Sequence, residues 1–179
     1  MKPLKNLLFG KAILSSFFRV TLILTLITVP FYYHYKIVYV DGISMTPTYD
    51  DGQWTVMQRA RSFDDDWIPG RFDVVVVWSD KDKVKLCKRV IGLPGEIVEV
   101  IEGQIYINGD KILDSFSKGN MVRYHLIDPV TDKAWWKEYE NISSQVIAPG
   151  HVWVVGDYRE DSAFGHFPIK EIRGKIVLY

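Results

Sequence analysis

A chain of 179 residues, 47% hydrophobic and 25% charged, has room for one globular core and the apolar side chains to build it. Its 22 basic and 22 acidic residues cancel and no basic face emerges, which excludes nucleic acid as a partner. The single cysteine, Cys87, excludes an internal disulfide and reads as a small apolar filler that leaves the compartment open.

The balanced charge hides an asymmetry. Residues Met1–Lys36 carry Lys2, Lys5, Lys11, Arg19 and Lys36 and no acid, leaving 17 basic against 22 acidic residues in the remainder. Within this segment Ala12–Tyr35 is apolar, with Arg19 as its only formal charge. About 20 such residues span a bilayer. Arg19 stands near the inner end, where it can snorkel toward headgroups, and Tyr32, Tyr33 and Tyr35 stand where an interfacial aromatic belt belongs. A cleaved signal peptide or a buried core helix are the other readings. The first would end in small residues, whereas here the stretch runs into PFYYHYKIVYV. The expectation is a cytoplasmic tail and single transmembrane anchor over residues 1–36, with the basic flank inside and everything after Lys36 across the membrane.

Past the anchor, β-branched and apolar runs alternate with turn signals. They are KIVYV, QWTVMQ, DVVVVW, KVKLCKRVI, EIVEVIEGQIYING, SSQVIAPGHVWVVGD and GKIVLY. IYING and LPGE carry hairpin-like turn chemistry. Residues 110–144 are more polar and aromatic, with weaker alternation. The predicted fold is therefore mostly β: an N-terminal transmembrane helix, then an antiparallel, partly closed β-structure over residues 37–109 and 145–179, with a small inserted subdomain at 110–144.

Two residues stand out for chemistry. In DGISMTPTYDDG, Gly42 and Pro47 bracket Ser44 and place it at a strand end or tight loop, although most loop serines are merely solvated. In VKLCKRVI, period two puts Val84, Leu86, Lys88 and Val90 on one face and Lys85, Cys87, Arg89 and Ile91 on the other. Lys88 then sits among apolar neighbours, while Lys85 and Arg89 are expected to reach water. A buried lysine loses its proton more readily and can serve as a general base near neutral pH. It can equally be a snorkelling lysine or one paired with a carboxylate, and the residues alone leave these readings open.

Three segments in order resemble the type I signal peptidases over essentially the whole chain. Ser44-Met45-Thr46-Pro47-Thr48 resembles the nucleophile box S-M-x-P-T. Lys88-Arg89-Val90-Ile91-Gly92-Leu93-Pro94-Gly95-Glu96 resembles the base-bearing box K-R-x-x-G-x-P-G-[DE]. Gly156-Asp157-Tyr158-Arg159-Glu160-Asp161-Ser162 resembles the start of the G-D-N-R-x-x-S box. The resemblance implies a serine/lysine dyad: Ser44 as nucleophile, Lys88 as base, Ser162 holding the Lys88 amine, and the Ser44 N–H in the oxyanion hole. Some members add a hydroxyl to that hole two residues before the nucleophile, where this chain has Gly42. After the third box's serine the family continues x-D-S-R, whereas Ser162-Ala163-Phe164-Gly165-His166-Phe167-Pro168 follows here, without that supporting Asp–Arg pair. His166 is read as a solvated loop histidine.

The implied substrates are pre-proteins held by their own signal segments and cut just outside the plasma membrane after a small residue. An extended peptide would add to a strand edge, with Ile43, Met45, Val84 and Leu86 as candidate pocket residues. Trp54, Trp67 and Trp78 are candidates for a bilayer-facing surface. His34, His125 and His151 have no ligand-like spacing and Asp64-Asp65-Asp66 reads as a solvated loop, so neither metal nor cofactor is expected. Two other functions fit the same residues: a dedicated processing peptidase of a conjugation or pilus system, and a catalytically silent membrane scaffold that binds signal segments. A self-cleaving repressor-type peptidase is set aside, since it would be soluble and carry a DNA-reading module.

Overall fold

The structure, a computed structural model, describes residues 3–81, 83–113, 115–125 and 136–178. It opens with α1 (Pro3–His34), within which Ser16–His34 has a mean hydropathy of 1.4, is buried nowhere along its apolar window, and is long and apolar enough to cross a membrane. The hydroxyls of Thr21, Thr25 and Thr28 donate to the carbonyls of Phe17, Thr21 and Leu24, one turn back. These polar groups are thereby satisfied without water, as a lipid surround requires.

Among the described residues thirteen strands follow: β1 (Tyr35–Tyr39), β2 (Trp54–Arg59), β3 (Val74–Ser79), β4 (Val84–Gly92), β5 (Ile97–Ile101), β6 (Gln104–Ile107), β7 (Asp110–Lys111), β8 (Val122–His125), β9 (Trp136–Tyr139), β10 (Ile142–Val146), β11 (His151–Val155), β12 (Phe164–Pro168) and β13 (Ile172–Ile176). They form a seven-stranded sheet in the order β1-β2-β13-β3-β4-β11-β12, a four-stranded sheet β10-β5-β6-β7, and the hairpin β8-β9. Every strand pair in them is antiparallel. The chain is thus mostly β behind an apolar N-terminal helix, as its sequence predicts.

The packing explains why the runs are so apolar. In β3, Val74 and Val76 join Val40, Met45, Tyr49, Met57 and Ile176 on one face. Val75 and Val77 join Val90, Val152, Val154 and Ile172 on the other. A strand buried on both faces needs a continuous hydrophobic run, and VVVV supplies it. A third cluster of Ile91, Val98, Val100, Ile105, Ile107, Ile147 and Trp153 seats the four-stranded sheet on the larger one. The large sheet also curls. β1 and β4 hold its first and fifth places, yet Val38 and Tyr39 of β1 share a cleft of about 300 Å³ with Cys87 of β4, Val76 and Ile176.

The β6–β7 turn is Asn108-Gly109, with φ of 54° and 87°, the positive pair that a two-residue hairpin demands. Within residues 110–144 the structure shows the β8–β9 hairpin. β7 and the start of β10 instead hydrogen-bond into the sheet of β5 and β6. Asp114 and residues 126–135 of that segment lie outside the described residues, as does Lys2 of the basic flank.

Candidate active site

Ser44 lies in the connection between β1 and β2. The residue after it, Met45, and Tyr49 are fully buried in the core, and the Tyr49 N–H donates to Met45 O at 3.0 Å. The Thr46 N–H donates to Ile43 O at 3.0 Å, and the Tyr158 N–H donates to Ser44 O at 3.1 Å. The loop is pinned on both sides of the serine, while Ser44 itself stays half-buried. Gly42, at φ 90°, takes a conformation that favours glycine and gives its N–H to Asp51 Oδ1 at 2.7 Å.

Lys88 sits in β4 opposite Val75 of β3 and is only 3% exposed. Its Nζ lies 2.7 Å from Ser44 Oγ. Burial pushes the Lys88 pKa below its ordinary value; the Cys87 thiol and the carboxylates of Asp157 and Asp161 oppose that effect without reversing it. The arrangement pairs a hydroxyl with an amine biased toward its neutral, proton-accepting form. Burial likewise pushes the Cys87 thiol up to about 12, so that the neighbouring sulfur is inert.

Arg89 corrects the sequence reading. It does not reach water but is wholly buried, because on the opposite face of β4 it meets Asp157 rather than solvent. Arg89 Nε donates to Asp157 Oδ1 at 2.7 Å and Nη2 to Oδ2 at 2.6 Å, a two-pronged ion pair with both side chains at 0% exposure. Arg89 also donates to Phe72 O at 2.8 Å and Thr48 Oγ1 at 3.0 Å, and its guanidinium lies 4.0 Å from the Phe116 ring centroid. The Thr48 hydroxyl donates to Asp157 Oδ2, so the network reaches back into the loop that carries Ser44. Both Arg89 and Asp157 stand inside recognisable boxes, beside Lys88 and Gly156. Alternation alone could not find them, since it treats every outward charge as solvated.

Ser162 Oγ accepts the Gly156 N–H at 2.8 Å and donates to Ala163 O at 3.1 Å; the hydrogen bond described for the Lys88 amine goes to Ser44. Ser162 and Ser44 nevertheless flank the same residue. A Cβ on Gly156 would lie 2.1 Å from Ser162 Oγ and 2.2 Å from Ser44 O, so only glycine lets the two segments close together.

The four candidate pocket residues are dispersed. Met45 is fully buried in the core, Ile43 and Val84 are exposed, and Leu86 lines a cleft of about 510 Å³ with Trp78, Phe164 and Phe167. His166 is on strand β12 rather than in a loop, paired with Trp153 and 3.0 Å from Gln145 Oε1 through Nε2. Trp54 is exposed against Tyr39, whereas Trp67 stacks on Phe63 and packs against the core.

The family described as signal peptidase, peptidase S26 matches residues 12–179. Signal peptidase I V of Bacillus subtilis is 32% identical over 142 residues, which cover 76% of this chain and 80% of that protein. Signal peptidase I of Bacillus caldolyticus is 30% identical over 149 residues, covering 76% of this chain and 74% of the other. Among solved structures, a signal peptidase I from Enterococcus faecalis is 25% identical with a TM-score of 0.44, covering 62% of this chain and 98% of that one. With the boxes, their order and nearly the whole chain matched, the protein belongs to the signal peptidase S26 family and is a serine endopeptidase of that type.

Proposed function

We propose that this chain is a single-pass membrane protein of the plasma membrane, N-terminus in the cytoplasm, whose outer domain removes signal peptides from exported pre-proteins with a Ser44/Lys88 dyad. The observation that carries this reading is the 2.7 Å approach of a buried, deprotonation-prone Lys88 amine to Ser44 Oγ. Residues 1–36 form the tail and anchor, residues 37–109 and 145–179 the catalytic β-domain, and residues 110–144 an inserted subdomain.

Neutral Lys88 takes the Ser44 proton as Oγ attacks the scissile carbonyl. The Ser44 N–H, which donates to no described group, faces the resulting oxyanion. The Lys88 ammonium then passes its proton to the leaving amine, the signal peptide remains as an acyl ester on Ser44, and Lys88 activates the water that releases it. Ser162 holds the Gly156 N–H and with it the segment that meets the Ser44 carbonyl, and the Arg89–Asp157 pair anchors the strand that carries the base. The extended substrate adds to the edge of β1, whose cleft with β4 accepts a small side chain.

The test is cleavage of a pre-protein bearing alanine at its two specificity positions by the detergent-solubilised protein, beside Ser44→Ala and Lys88→Ala. One cut by the parent, lost in both variants, is the expected result. Undiminished cleavage by Lys88→Ala overturns the base assignment. A parent inert on general pre-proteins turns the reading toward a dedicated substrate or a silent scaffold.

A further inference from the structure

A helix leaves its last carbonyls without intrahelical partners. In α1 the catalytic domain takes them up. Arg61 Nε donates to Tyr33 O at 2.9 Å and Nη2 to Tyr32 O at 3.4 Å, and the Ser62 hydroxyl donates to His34 O at 3.2 Å. Just beyond the helix, Arg59 Nε donates to Tyr35 O at 3.1 Å. The same guanidinium groups cover aromatic faces, Arg61 at 4.4 Å from the Tyr33 ring centroid and Arg59 at 5.4 Å from that of Tyr32. Cations at a helix C-terminus are also favoured by its dipole.

All these donors come from one short segment, the end of β2 and the 3-10 turn Ala60–Ser62. β2 is in turn paired with β1 along its whole length, from Tyr35 opposite Gln58 to Tyr39 opposite Trp54. The helix end, β1 and β2 are therefore tied into one piece. β1 runs for five residues from the helix end, about 16 Å at ~3.3 Å per residue. Ser44 follows in the loop that β1 feeds.

We propose that Arg59, Arg61 and Ser62 are positioning residues that determine the cleavage site: they fix how β1 leaves the membrane, and so the height above the bilayer at which Ser44 meets its substrate. This rests on the reading of the chain as a membrane-anchored signal peptidase. A pre-protein anchored by its own apolar helix presents each peptide bond at its own height. A nucleophile held at one height cuts one of them. With the clamp released the dyad is intact, but Ser44 samples a range of heights.

The experiment uses the full chain in phospholipid vesicles with two substrates, a membrane-inserted pre-protein and a short water-soluble peptide covering its cleavage site. Cut positions are mapped by mass spectrometry. In parallel, nitroxide labels at Leu26→Cys and Asn108→Cys, in a Cys87→Ala background, report the helix-to-domain distance distribution. For the Arg61→Ala/Ser62→Ala double variant, peptide turnover stays within about twofold, while pre-protein cleavage falls about tenfold and secondary cuts appear. The distance distribution broadens, and Arg61→Lys, which retains a cation able to donate to a helix-end carbonyl, keeps the parent's cut as the major one. Unchanged pre-protein cleavage, equal losses on both substrates, or a distance distribution as narrow as the parent's overturns the proposal. A parent that cuts neither substrate overturns the peptidase reading, and the proposal with it.

Discussion

Replacing Asp157 by asparagine removes the carboxylate that accepts two bonds from the Arg89 guanidinium while leaving the cation buried. Breaking a buried ion pair from one side costs about 3–5 kcal/mol, because the remaining charge is stranded. Here part of that cost is offset. Arg89 keeps its bonds to Phe72 O and Thr48 Oγ1 and its place over the Phe116 ring, and a desolvated cation–π contact is worth about 2 kcal/mol. The expected loss is therefore at the low end, about 3 kcal/mol, or a fall in Tm of roughly 6–12 °C for a protein of this size. Urea and thermal unfolding of the detergent-solubilised chain, followed by circular dichroism, measure it. The companion variant Arg89→Met/Asp157→Leu replaces both charges with apolar groups and should cost about 1 kcal/mol or less. An Asp157→Asn loss below about 1 kcal/mol, or a double variant less stable than the single, refutes the argument that the pair's importance lies in the stranded charge.

The remaining expectations concern the dyad. Lys88→Met lowers cleavage by about a millionfold, the scale on which a serine protease responds to loss of its base. Yet it raises Tm at neutral pH. The Lys88 pKa is lowered in the folded state, so the unfolded chain binds the extra proton and parent stability climbs as pH rises toward the ordinary lysine value of 10.5. Lys88→Met should flatten that climb, and an unaltered slope counts against the assignment. The proposed mechanism requires the neutral amine, so kcat/KM rises with pH through the Lys88 pKa with its midpoint below 10.5; Asp161→Asn removes a carboxylate that raises this pKa and moves the rise to lower pH. A rise centred at 10.5 in the parent would sink the desolvation argument. Gly156→Ala drives a methyl group into Ser162 Oγ and Ser44 O, and kcat should fall about 100-fold as the nucleophile is displaced. Retention of parent-like kcat would mean the two loops need not meet at Gly156.

The elements legible in the sequence are those where one local rule decides. The apolar stretch before Lys36 has to be a helix if it crosses lipid, and Val74–Val77 has to be a strand with both faces covered. Asn108-Gly109 has to be a tight turn. The same rule placed Lys88 among apolar side chains, because its neighbours two residues away on either side, Leu86 and Val90, are apolar. It failed for Arg89, whose environment comes from a residue 68 positions away. Alternation reports which side of a strand a group faces, not what a distant loop brings to that side. Met45 failed for a related reason. Adjacent to the nucleophile, it looks like a substrate contact, but a loop needs an anchor to hold Ser44 still, and the buried Met45 is that anchor.

Lys88 and Arg89 are consecutive, both buried, and both cationic in water, and the fold resolves the two charges in opposite ways. Arginine does not give up its proton, so it can be buried only against an anion, and both Asp157 oxygens are committed to it. Lysine can give up its proton, and among the described residues the hydrogen bond of Lys88 Nζ goes to the Ser44 hydroxyl rather than to a carboxylate. The pleat makes the division possible, since it sends consecutive side chains to opposite faces of β4. Had Asp157 been free to pair with Lys88, the ammonium would have been the stable form and the amine unfit to take a proton from Ser44. With both Asp157 oxygens committed to Arg89, burial remains the dominant influence on Lys88 and holds its pKa below the ordinary value. The buried ion pair thus holds the strand that carries Lys88 and commits both Asp157 oxygens to Arg89 rather than to the amine.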